Sequence, residues 1–334
     1  MRVITEQDVR SIYTMDQCME SVEKALKLQQ CGNVTAPVRT AINVEKGTML
    51  YMPSYVEDIN YLGIKIVSVF PENKKIGGKT IQGIFLLTNA ESGEHLSLID
   101  ASWLTVMRTG ALSGIATKYL ARDNANTCLV IGCGLQAIGQ IQAVLKVRPI
   151  KKILLYNQTK AKAVKLKNYI KENFKWIGDI GILEDPNEGV PYADVIICST
   201  NSFTPVFDGT LLQAGTHING IGSFQPNMQE VDTVALLKSD KVVVDTIEGA
   251  LHEAGDLLIP TEQNKWSFNQ LHGELGEITL GNLAGREREE EITFFKSVGF
   301  SMLDIVCAAS IYEEALHTDV GLDISTQAYS IESR

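Results

Sequence analysis

Three cationic side chains lie inside apolar stretches of the sequence, where a charged group needs a specific partner. Lys65 interrupts one strand-like apolar run, Arg39 interrupts another, and Arg108 lies in a helical stretch shortly before Gly110. Lysine and arginine are seldom buried unless they are paired. Two interpretations stay open: a snorkelling lysine with two salt-bridged arginines, or a small pocket that binds a carboxylate. Gly110 would allow a ligand or a backbone to approach Arg108 closely.

A glycine-rich turn follows an apolar run near the middle of the chain. Gly132-Cys133-Gly134-Leu135-Gln136-Ala137 has the pattern GxGxxA and lies between a strand-like run and a helical stretch. Gly132 permits a tight turn, Gly134 lets the backbone approach a pyrophosphate, and Ala137 allows close packing of helix on strand. The N–H groups at the helix start then bind phosphate. The segment predicts a dinucleotide site, and a purely structural glycine turn is the alternative.

The end of the next strand-like run bears on the choice of cofactor. NAD sites usually carry Asp or Glu there, which binds the ribose 2′-hydroxyl. Here the residue is Asn157, which has no charge to repel a 2′-phosphate, and Thr159 and Lys160 supply a hydroxyl and a positive charge that could bind one. We predict NADP(H) in preference to NAD(H). The alternative for Lys160 is an ordinary solvated lysine.

The composition is that of an ordinary globular protein. The 334 residues are 45% hydrophobic and 21% charged, the formal net charge is −10, and the pI is about 5.1. This acidity argues against nucleic-acid and anionic-membrane partners, and no run approaches the roughly 18 apolar residues of a membrane helix. The N-terminus lacks the apolar stretch of a secretory signal. The six cysteines form no CxxC pair, so we predict no metal site and a reducing, cytoplasmic location.

The hydrophobic pattern changes near residue 121. Before it, closely spaced strand-like runs without intervening helices predict an antiparallel or mixed sheet, with helices at 15–30 and 101–120. From residue 126, apolar runs alternate with helix-compatible stretches, which is typical of a parallel, doubly wound sheet. The predicted fold is α/β: a Rossmann-type domain at 122–300 and a smaller α+β domain formed by 1–121 and about 301–334. The strand-like runs are 38–44, 48–52, 62–70, 81–88, 95–99, 128–131, 153–156, 180–183, 195–198, 217–221 and 242–244.

Three weaker signals lie in the second region. Thr200 follows the run 195–198, and we expect it near the nicotinamide because the carboxyl ends of such strands face the ligand crevice. His217 has the setting of a core histidine more than that of an acid catalyst. The charged segment 287–291 is predicted to be a solvated turn or helix start.

The chain resembles the ornithine cyclodeaminase/mu-crystallin family over essentially its whole length. The motifs that carry the resemblance are 36–40, 63–65, 108–111, 132–137, 222–226 and 275–277. The resemblance implies a homodimer in which the Rossmann domain binds NAD(P) and the smaller domain supplies substrate binding and the dimer contact. It also implies that Arg39, Lys65 and Arg108 hold the substrate carboxylate. The further residues assigned to the cofactor or substrate site are Thr80, Thr109, Leu135, Gln136, Asn157, Thr200, Ile218, Asn219, Gly220 and Ile221.

Family members differ in chemistry but share hydride exchange between the nicotinamide and the α-carbon of an amino or imino acid. Ornithine cyclodeaminases place an Asp two residues before the proline of the motif 222–226, and here that residue is Phe224. Cyclisation requires a base to take a proton from an ammonium with a pKa of about 10. Phe224 cannot do this, although it could stack on a cyclic substrate. Asp232 and Asp256 are carboxylates that could substitute.

The sequence therefore predicts an NAD(P)-dependent oxidoreductase that acts on the C–N bond of a small amino or imino acid. The oxidised substrate would be a cyclic ketimine such as pyrroline-2-carboxylate, or a 2-oxo acid plus amine as in an alanine-type dehydrogenase. Lys65 is the candidate catalytic proton donor, since a desolvated lysine can exchange protons near neutrality. The alternatives are an ornithine cyclodeaminase, a siderophore- or opine-type dehydrogenase, and an NADPH-binding crystallin-like protein.

Overall fold

The computed structural model describes residues 1–32, 34–37 and 39–324. Val38, which the sequence analysis places in a strand-like run, lies outside the described residues. The chain divides into two compact units. The first comprises Met1–Gln17, Gly32–Thr105 and Ser301–Arg334, and the second comprises Cys18–Cys31 and Val106–Phe300. Unlike the predicted division, the second unit includes residues 18–31 and 106–121, and the functions of the two domains stay predictions.

The secondary structure comprises these elements. In chain order the strands are β1 Arg2–Ile4, β2 Val34–Thr35, β3 Thr40–Val44, β4 Gly47–Val56, β5 Tyr61–Val69, β6 Ile81–Asn89, β7 His95–Asp100, β8 Thr127–Ile131, β9 Lys152–Tyr156, β10 Asp179–Ile182, β11 Val195–Cys198, β12 His217–Gly220, β13 Lys241–Val244, β14 Gly273–Glu274, β15 Thr293–Lys296 and β16 Leu322–Asp323. The helices are α1 Glu6–Ile12, α2 Met15–Cys31, α3 Ala101–Leu120, α4 Leu135–Val147, α5 Lys160–Asn173, α6 Thr233–Lys238, α7 Ile247–Glu253, α8 Gly255–Glu262, α9 Leu275–Leu280 and α10 Ser301–His317.

The first unit is built on a mixed sheet. Its strands follow the order β16-β1-β7-β6-β5-β4-β2, and β3 also pairs with β4. Neighbouring strands are antiparallel except β1 and β7, which are parallel. Helix α10 packs on β4, β5 and β6. Lys65 of β5 and Phe85 of β6 are register partners and both are buried. The predicted mixed sheet is confirmed, and one of its faces is covered by α10.

The second unit is built on an entirely parallel sheet in the order β10-β9-β8-β11-β12-β15-β13-β14. Alternate residues of β8 enter two different hydrophobic clusters, Leu129 in one and Val130 in the other. Both faces of the sheet are therefore buried, as expected when helices flank a parallel sheet. The strand order reverses between β8 and β11, and this switch point is where α/β sheets bind ligands. The predicted doubly wound fold class is confirmed.

Two features of the second unit depart from the sequence analysis. Strand β15 was missed, although Phe294 and Phe295 are fully buried at its centre. The prediction of a solvated segment at 287–291 is wrong for Glu291, which is 2% exposed and lies 3.5 Å from the ammonium of Lys241. The buried Lys241 ammonium compensates the negative charge of Glu291, which water would solvate in an exposed turn. None of the helices in the described part of the chain is long and apolar enough to cross a membrane.

Candidate functional site

The glycine turn lies at the switch point of the parallel sheet. Gly132 has φ +96°, and a Cβ atom there would lie 2.6 Å from the carbonyl oxygen of Ser199. The Gly132 N–H donates to the carbonyl of Tyr156 over 2.9 Å, and its own carbonyl accepts from Ser199 Oγ over 2.8 Å. The turn is therefore held between the ends of β8, β9 and β11, in a conformation that favours glycine.

The start of α4 has the form of a diphosphate cradle. Gly134 caps the helix without any side-chain hydrogen bond, and a Cβ atom there would meet nothing within 4 Å. The first N–H groups of a helix have no acceptor within the helix. Leu135, which follows, is 52% exposed, and Ala137 is fully buried against the strands. A cofactor diphosphate fits this open helix start, where amide N–H groups and the helix dipole both favour an anion.

Asn157 connects the glycine turn to the next helix. Its Oδ1 accepts the N–H of Cys133 over 2.9 Å, and its Nδ2 donates to the carbonyl of Thr159 over 3.1 Å. Thr159 is the residue before α5, and Lys160 begins that helix. The Lys160 ammonium forms an ion pair with Glu184, in which both side chains are largely exposed. A cofactor 2′-phosphate would compete with this carboxylate for Lys160.

The residues predicted around β12 differ in their access to solvent. Thr200 lies beside the glycine turn, since its Cγ2 would be 2.7 Å from a Cβ atom on Gly132. Ile218 is part of the hydrophobic core, and the Asn219 amide donates to Thr117 Oγ1 over 3.0 Å in a buried position. The structure therefore does not bring the side chains of Ile218 and Asn219 to a surface, because β12 is buried on both faces. Gly220 is buried too, and Ile221 is 9% exposed just after the strand.

Neither of the two carboxylates considered as a replacement base is available to a substrate. Asp232 caps α6 by accepting from the N–H of Ala235 and also accepts from the N–H of Gly209. Asp256 is completely buried and lies 2.8 Å from the Lys296 ammonium. Phe224 is 39% exposed and therefore accessible. Phe224 thus stands where the family resemblance places an acid in the cyclodeaminases. Neither Asp232 nor Asp256 can replace that acid.

Two residues missed by the sequence analysis lie under the loops that follow β11 and β12. They are Glu230, whose carboxylate accepts from backbone N–H groups of both loops, and Lys296 at the end of β15. Lys296 follows the run Thr293–Phe295, so the criterion that selected Lys65, a lysine in an apolar strand, would have found it. Glu230 lies in a polar sequence context and has no comparable signal.

In the first unit, Lys65 is buried in a defined ion pair. Its Nζ lies 2.6 Å from Oδ2 of Asp304 in the first turn of α10, and the two side chains are 4% and 0% exposed. This excludes the snorkelling interpretation of Lys65. Arg39 does not lie in a strand as predicted, because β3 begins at Thr40, and its side chain is half-buried. Thr80 precedes β6, and its carbonyl accepts the N–H of Phe70 over 2.8 Å.

In the second unit, Arg108 packs against a turn that follows β15. A Cβ atom on Gly299, which has φ +78°, would lie 2.8 Å from Nη1 of Arg108. Asp245, at the end of β13, holds this turn by accepting from the N–H of Gly299 over 2.6 Å and from Ser297 Oγ over 2.7 Å. Arg108 is 8% exposed. Its guanidinium is therefore set in position by the protein.

The neighbours of Arg108 on α3 contact α4. The Thr109 carbonyl accepts from Gln140 Nε2 over 2.9 Å, and a Cβ atom on Gly110 would lie 2.3 Å from the Gly139 carbonyl oxygen. Gly110 thus serves the approach of one helix backbone to another.

Burial keeps three further titratable side chains of the second unit neutral, those of His217, Cys128 and Cys133. His217 is fully buried with its Nδ1 2.9 Å from Thr293 Oγ1, and burial lowers its pKa to about 3. Burial raises the pKa of the Cys128 and Cys133 thiols to about 12. These groups stay neutral at physiological pH, as expected for core residues. Across the described residues, no group of three or more His, Cys, Asp or Glu side chains could hold a metal ion.

The chain matches known proteins over nearly its full length. The model of the ornithine cyclodeaminase/mu-crystallin family matches residues 1–319. A Delta(1)-pyrroline-2-carboxylate reductase from Bacillus cereus is 46% identical over 323 residues, which cover 96% of this chain and 98% of that protein.

Solved structures are also similar to this chain over nearly its full length. The structure of Delta(1)-pyrroline-2-carboxylate reductase from Thermococcus litoralis, in complex with NADH and L-proline, is similar with a TM-score of 0.92 and 38% identity, covering 97% of this chain and 100% of that chain. An archaeal alanine dehydrogenase dimer with bound NAD is similar with a TM-score of 0.90 and 34% identity, covering 98% and 99%. Together with the glycine turn at the switch point and the motifs of both units, these matches establish that the chain belongs to the ornithine cyclodeaminase/mu-crystallin family.

Proposed function

We propose that this protein reduces Delta(1)-pyrroline-2-carboxylate to L-proline with a reduced nicotinamide cofactor. The observation that carries the proposal is the 46% identity, over 96% of the chain, to a relative named for that reduction. Phe224 supports it, because reduction of a preformed cyclic imine needs no base for an ornithine ammonium and an exposed ring can stack on a cyclic substrate. The protein is a nicotinamide-dependent oxidoreductase of its family that acts on the C–N bond of a small amino or imino acid.

In the proposed reaction, a hydride adds to the imine carbon and a proton adds to the imine nitrogen. The bound reduced nicotinamide supplies the hydride when it is present. We assign binding of the substrate carboxylate to Arg39, Lys65 and Arg108, because guanidinium groups match a carboxylate in shape and charge. We assign proton donation to the Lys65 ammonium, which Asp304 faces at 2.6 Å. Phe224 would then contact the ring of the imine.

We propose that the cofactor lies along the carboxyl ends of β8, β9 and β11, with its diphosphate at Gly132, Gly134 and the start of α4. We propose that the protein prefers NADP(H) to NAD(H), because Asn157 places no carboxylate where it would repel a 2′-phosphate. The preference should be small, because Lys160 must leave Glu184 to bind the phosphate. Exposed ion pairs contribute about 0–1 kcal/mol, which corresponds to at most about fivefold in affinity.

We propose a homodimer formed through the sheet face of the first unit that α10 leaves open. This face carries apolar side chains, of which Ile42 is 52% and Ile84 is 41% exposed. Tyr51, Ile66 and Ile84 are register neighbours across β4, β5 and β6 and continue the same face. Exposed apolar side chains grouped on an open sheet face are typical of an association surface. The change Ile84→Arg should produce monomers in sedimentation, whereas a wild-type monomer would refute the proposal. The cytoplasmic location stays a prediction.

The test of the reaction is absorbance of the reduced cofactor with purified protein. NADPH and NADH are each offered with pyrroline-2-carboxylate, piperideine-2-carboxylate, or pyruvate plus ammonia, and a parallel reaction contains L-ornithine and NAD. We expect the fastest oxidation with pyrroline-2-carboxylate. A preference for pyruvate plus ammonia would make the protein an alanine-type dehydrogenase, and proline formation from ornithine without net cofactor change would make it a cyclodeaminase.

A further inference from the structure

A single buried carboxylate joins the loops that follow β11 and β12. Glu230 Oε1 accepts the N–H of Thr200 over 2.5 Å, while Oε2 accepts the N–H groups of Gly222 and Ser223 over 2.7 and 3.0 Å. Glu230 is completely buried. The spacing between the two loops is tight, because a Cβ atom on Gly222 would lie 2.2 Å from the Thr200 carbonyl oxygen. The carboxylate therefore fixes how far apart these two loops lie.

Two further buried charges hold Glu230 and the second loop. Asp256 Oδ1 accepts the N–H of Glu230 over 2.6 Å and that of Val231 over 3.0 Å, and its Oδ2 lies 2.8 Å from Lys296 Nζ. The Lys296 ammonium also donates to the carbonyl of Ser223. Ser223 is thus held at its N–H by Glu230 and at its carbonyl by Lys296. Phe224 follows directly, so the same network sets the backbone from which its ring extends.

The charge state of Glu230 decides whether it can hold both loops. An ionised carboxylate only accepts hydrogen bonds, whereas a protonated one carries a donor on one oxygen. The groups that face it are Asp256 from α8, Lys296 from β15 and Cys198 from β11. Burial and then the Asp256 charge raise the pKa of Glu230 to about 7, against the opposite effects of Lys296 and of the hydrogen bond from Thr200. Glu230 is therefore protonated at a higher pH than an ordinary glutamate.

We propose that Glu230 is a positioning residue that holds the Thr200 loop and the Gly222–Phe224 loop in register for the nicotinamide and the substrate, and that its protonation weakens cofactor binding. A protonated Glu230 accepts these N–H groups more weakly and carries a hydroxyl that needs an acceptor of its own, which loosens its hold on the loops. This rests on the proposed function, in that the two loops are those expected to face the nicotinamide. It extends that function by predicting a pH dependence that comes from a group remote from the reacting atoms.

The test is NADH binding measured by fluorescence between pH 6 and pH 8.5, with turnover measured in parallel. In the wild type, the NADH Kd should increase as the pH falls through about 7. Glu230→Gln should bind NADH with a weak, pH-independent Kd, because the amide turns a donor toward one loop at every pH. Turnover of Glu230→Gln should fall on the order of tenfold to a hundredfold, because a displaced loop misplaces the groups that it carries. Asp232→Asn is the matched control, since Asp232 also accepts backbone N–H groups, but those of Gly209 and Ala235, away from Thr200 and from Gly222–Phe224.

Two results decide the inference even where Glu230→Gln does not fold. Asp256→Asn removes the negative charge beside Glu230 and should move the midpoint of NADH binding to lower pH. A wild-type NADH Kd that is flat between pH 6 and pH 8 would overturn the inference by itself. So would a Glu230→Gln protein that keeps the wild-type pH profile. If no imine is reduced while NADH binding titrates as expected, the proposed reductase function fails and the positioning role stands.

Discussion

The ion pair of Lys65 and Asp304 allows a stabilising role of the lysine to be separated from a chemical one. The two groups are 2.6 Å apart, with side-chain exposures of 4% and 0%. Removing one partner of such a pair leaves a buried charge without its counter-charge, which costs about 3–5 kcal/mol of unfolding free energy. We expect this loss for Asp304→Asn and for Lys65→Met. Replacing both partners removes both charges, and such a replacement is often neutral.

The double variant Lys65→Met/Asp304→Leu should therefore recover most of the stability that either single variant loses. Since each single variant loses about 3–5 kcal/mol and the double variant little, the predicted coupling is about 5 kcal/mol or more, above the range usual for residues in contact. Activity should not recover. If Lys65 donates the proton to the imine, its loss lowers kcat/KM by about 10²–10⁴-fold whatever stands at position 304. Stability and catalysis should thus diverge in the double variant.

The measurements are urea unfolding at a fixed protein concentration and steady-state reduction of pyrroline-2-carboxylate, each on the four proteins of the cycle. The concentration is held fixed because the proposed association of subunits would contribute to apparent stability. A double variant that regains activity together with stability would show that Lys65 acts only through the fold. An Asp304→Asn protein as stable as the wild type would refute the energetic argument about the buried pair.

Three further predictions concern the second unit. Gly132→Ala should weaken NADH binding at least tenfold and lower the Tm, because φ is +96° and the added Cβ would lie 2.6 Å from Ser199; wild-type affinity in a fluorescence titration would contradict this. Glu184→Gln should raise the ratio of NADPH to NADH kcat/KM up to about fivefold by releasing Lys160, and an unchanged ratio would remove Lys160 from the cofactor site. When the pH falls from 7 to 5, the unfolding free energy of His217→Gln should decrease by about 2 kcal/mol less than that of the wild type. The reason is that His217 stays neutral in the fold, with a pKa of about 3, but gains a proton below pH 6.5 when unfolded; equal losses in urea unfolding would contradict it.

Much of the fold followed from the sequence because periodicity and glycine placement are local signals. The parallel sheet was predicted from apolar runs separated by helical stretches, and helix α3 was predicted with its observed bounds, Ala101–Leu120. The exact start of β3 was not predicted, because Arg39 has apolar neighbours and was therefore included in the predicted strand. Strand β15 was missed because its four residues follow a highly charged segment. In that segment, Glu291 is buried through a long-range ion pair with Lys241 that no local pattern reveals.

The residues of the candidate site likewise differ in whether the sequence alone reveals them. Lys65 was found because a charge in an apolar strand is visible in the sequence itself, and Gly132 and Gly134 because their spacing is diagnostic. Glu230 was not found, because its role arises from backbone N–H groups some 30 and 8 positions away in the chain. Its burial exists only once the ends of β11 and β12 lie side by side. Carboxylates that organise backbone in this way have no sequence signature.

The two buried lysine–aspartate pairs show why burial alone does not identify a catalytic lysine. Lys296 in the second unit is as deeply buried as Lys65 in the first, and each lies within 3 Å of an aspartate oxygen. Lys296, however, also donates to the Ser223 carbonyl, so its charge is directed at the backbone of a loop. Exchange of Lys296 for Met should therefore raise the pH midpoint of NADH binding by removing the charge that favours ionised Glu230. Exchange of Lys65 for Met should leave that midpoint in place and lower the rate of imine reduction, because its effect is on the reaction rather than on the cofactor loops.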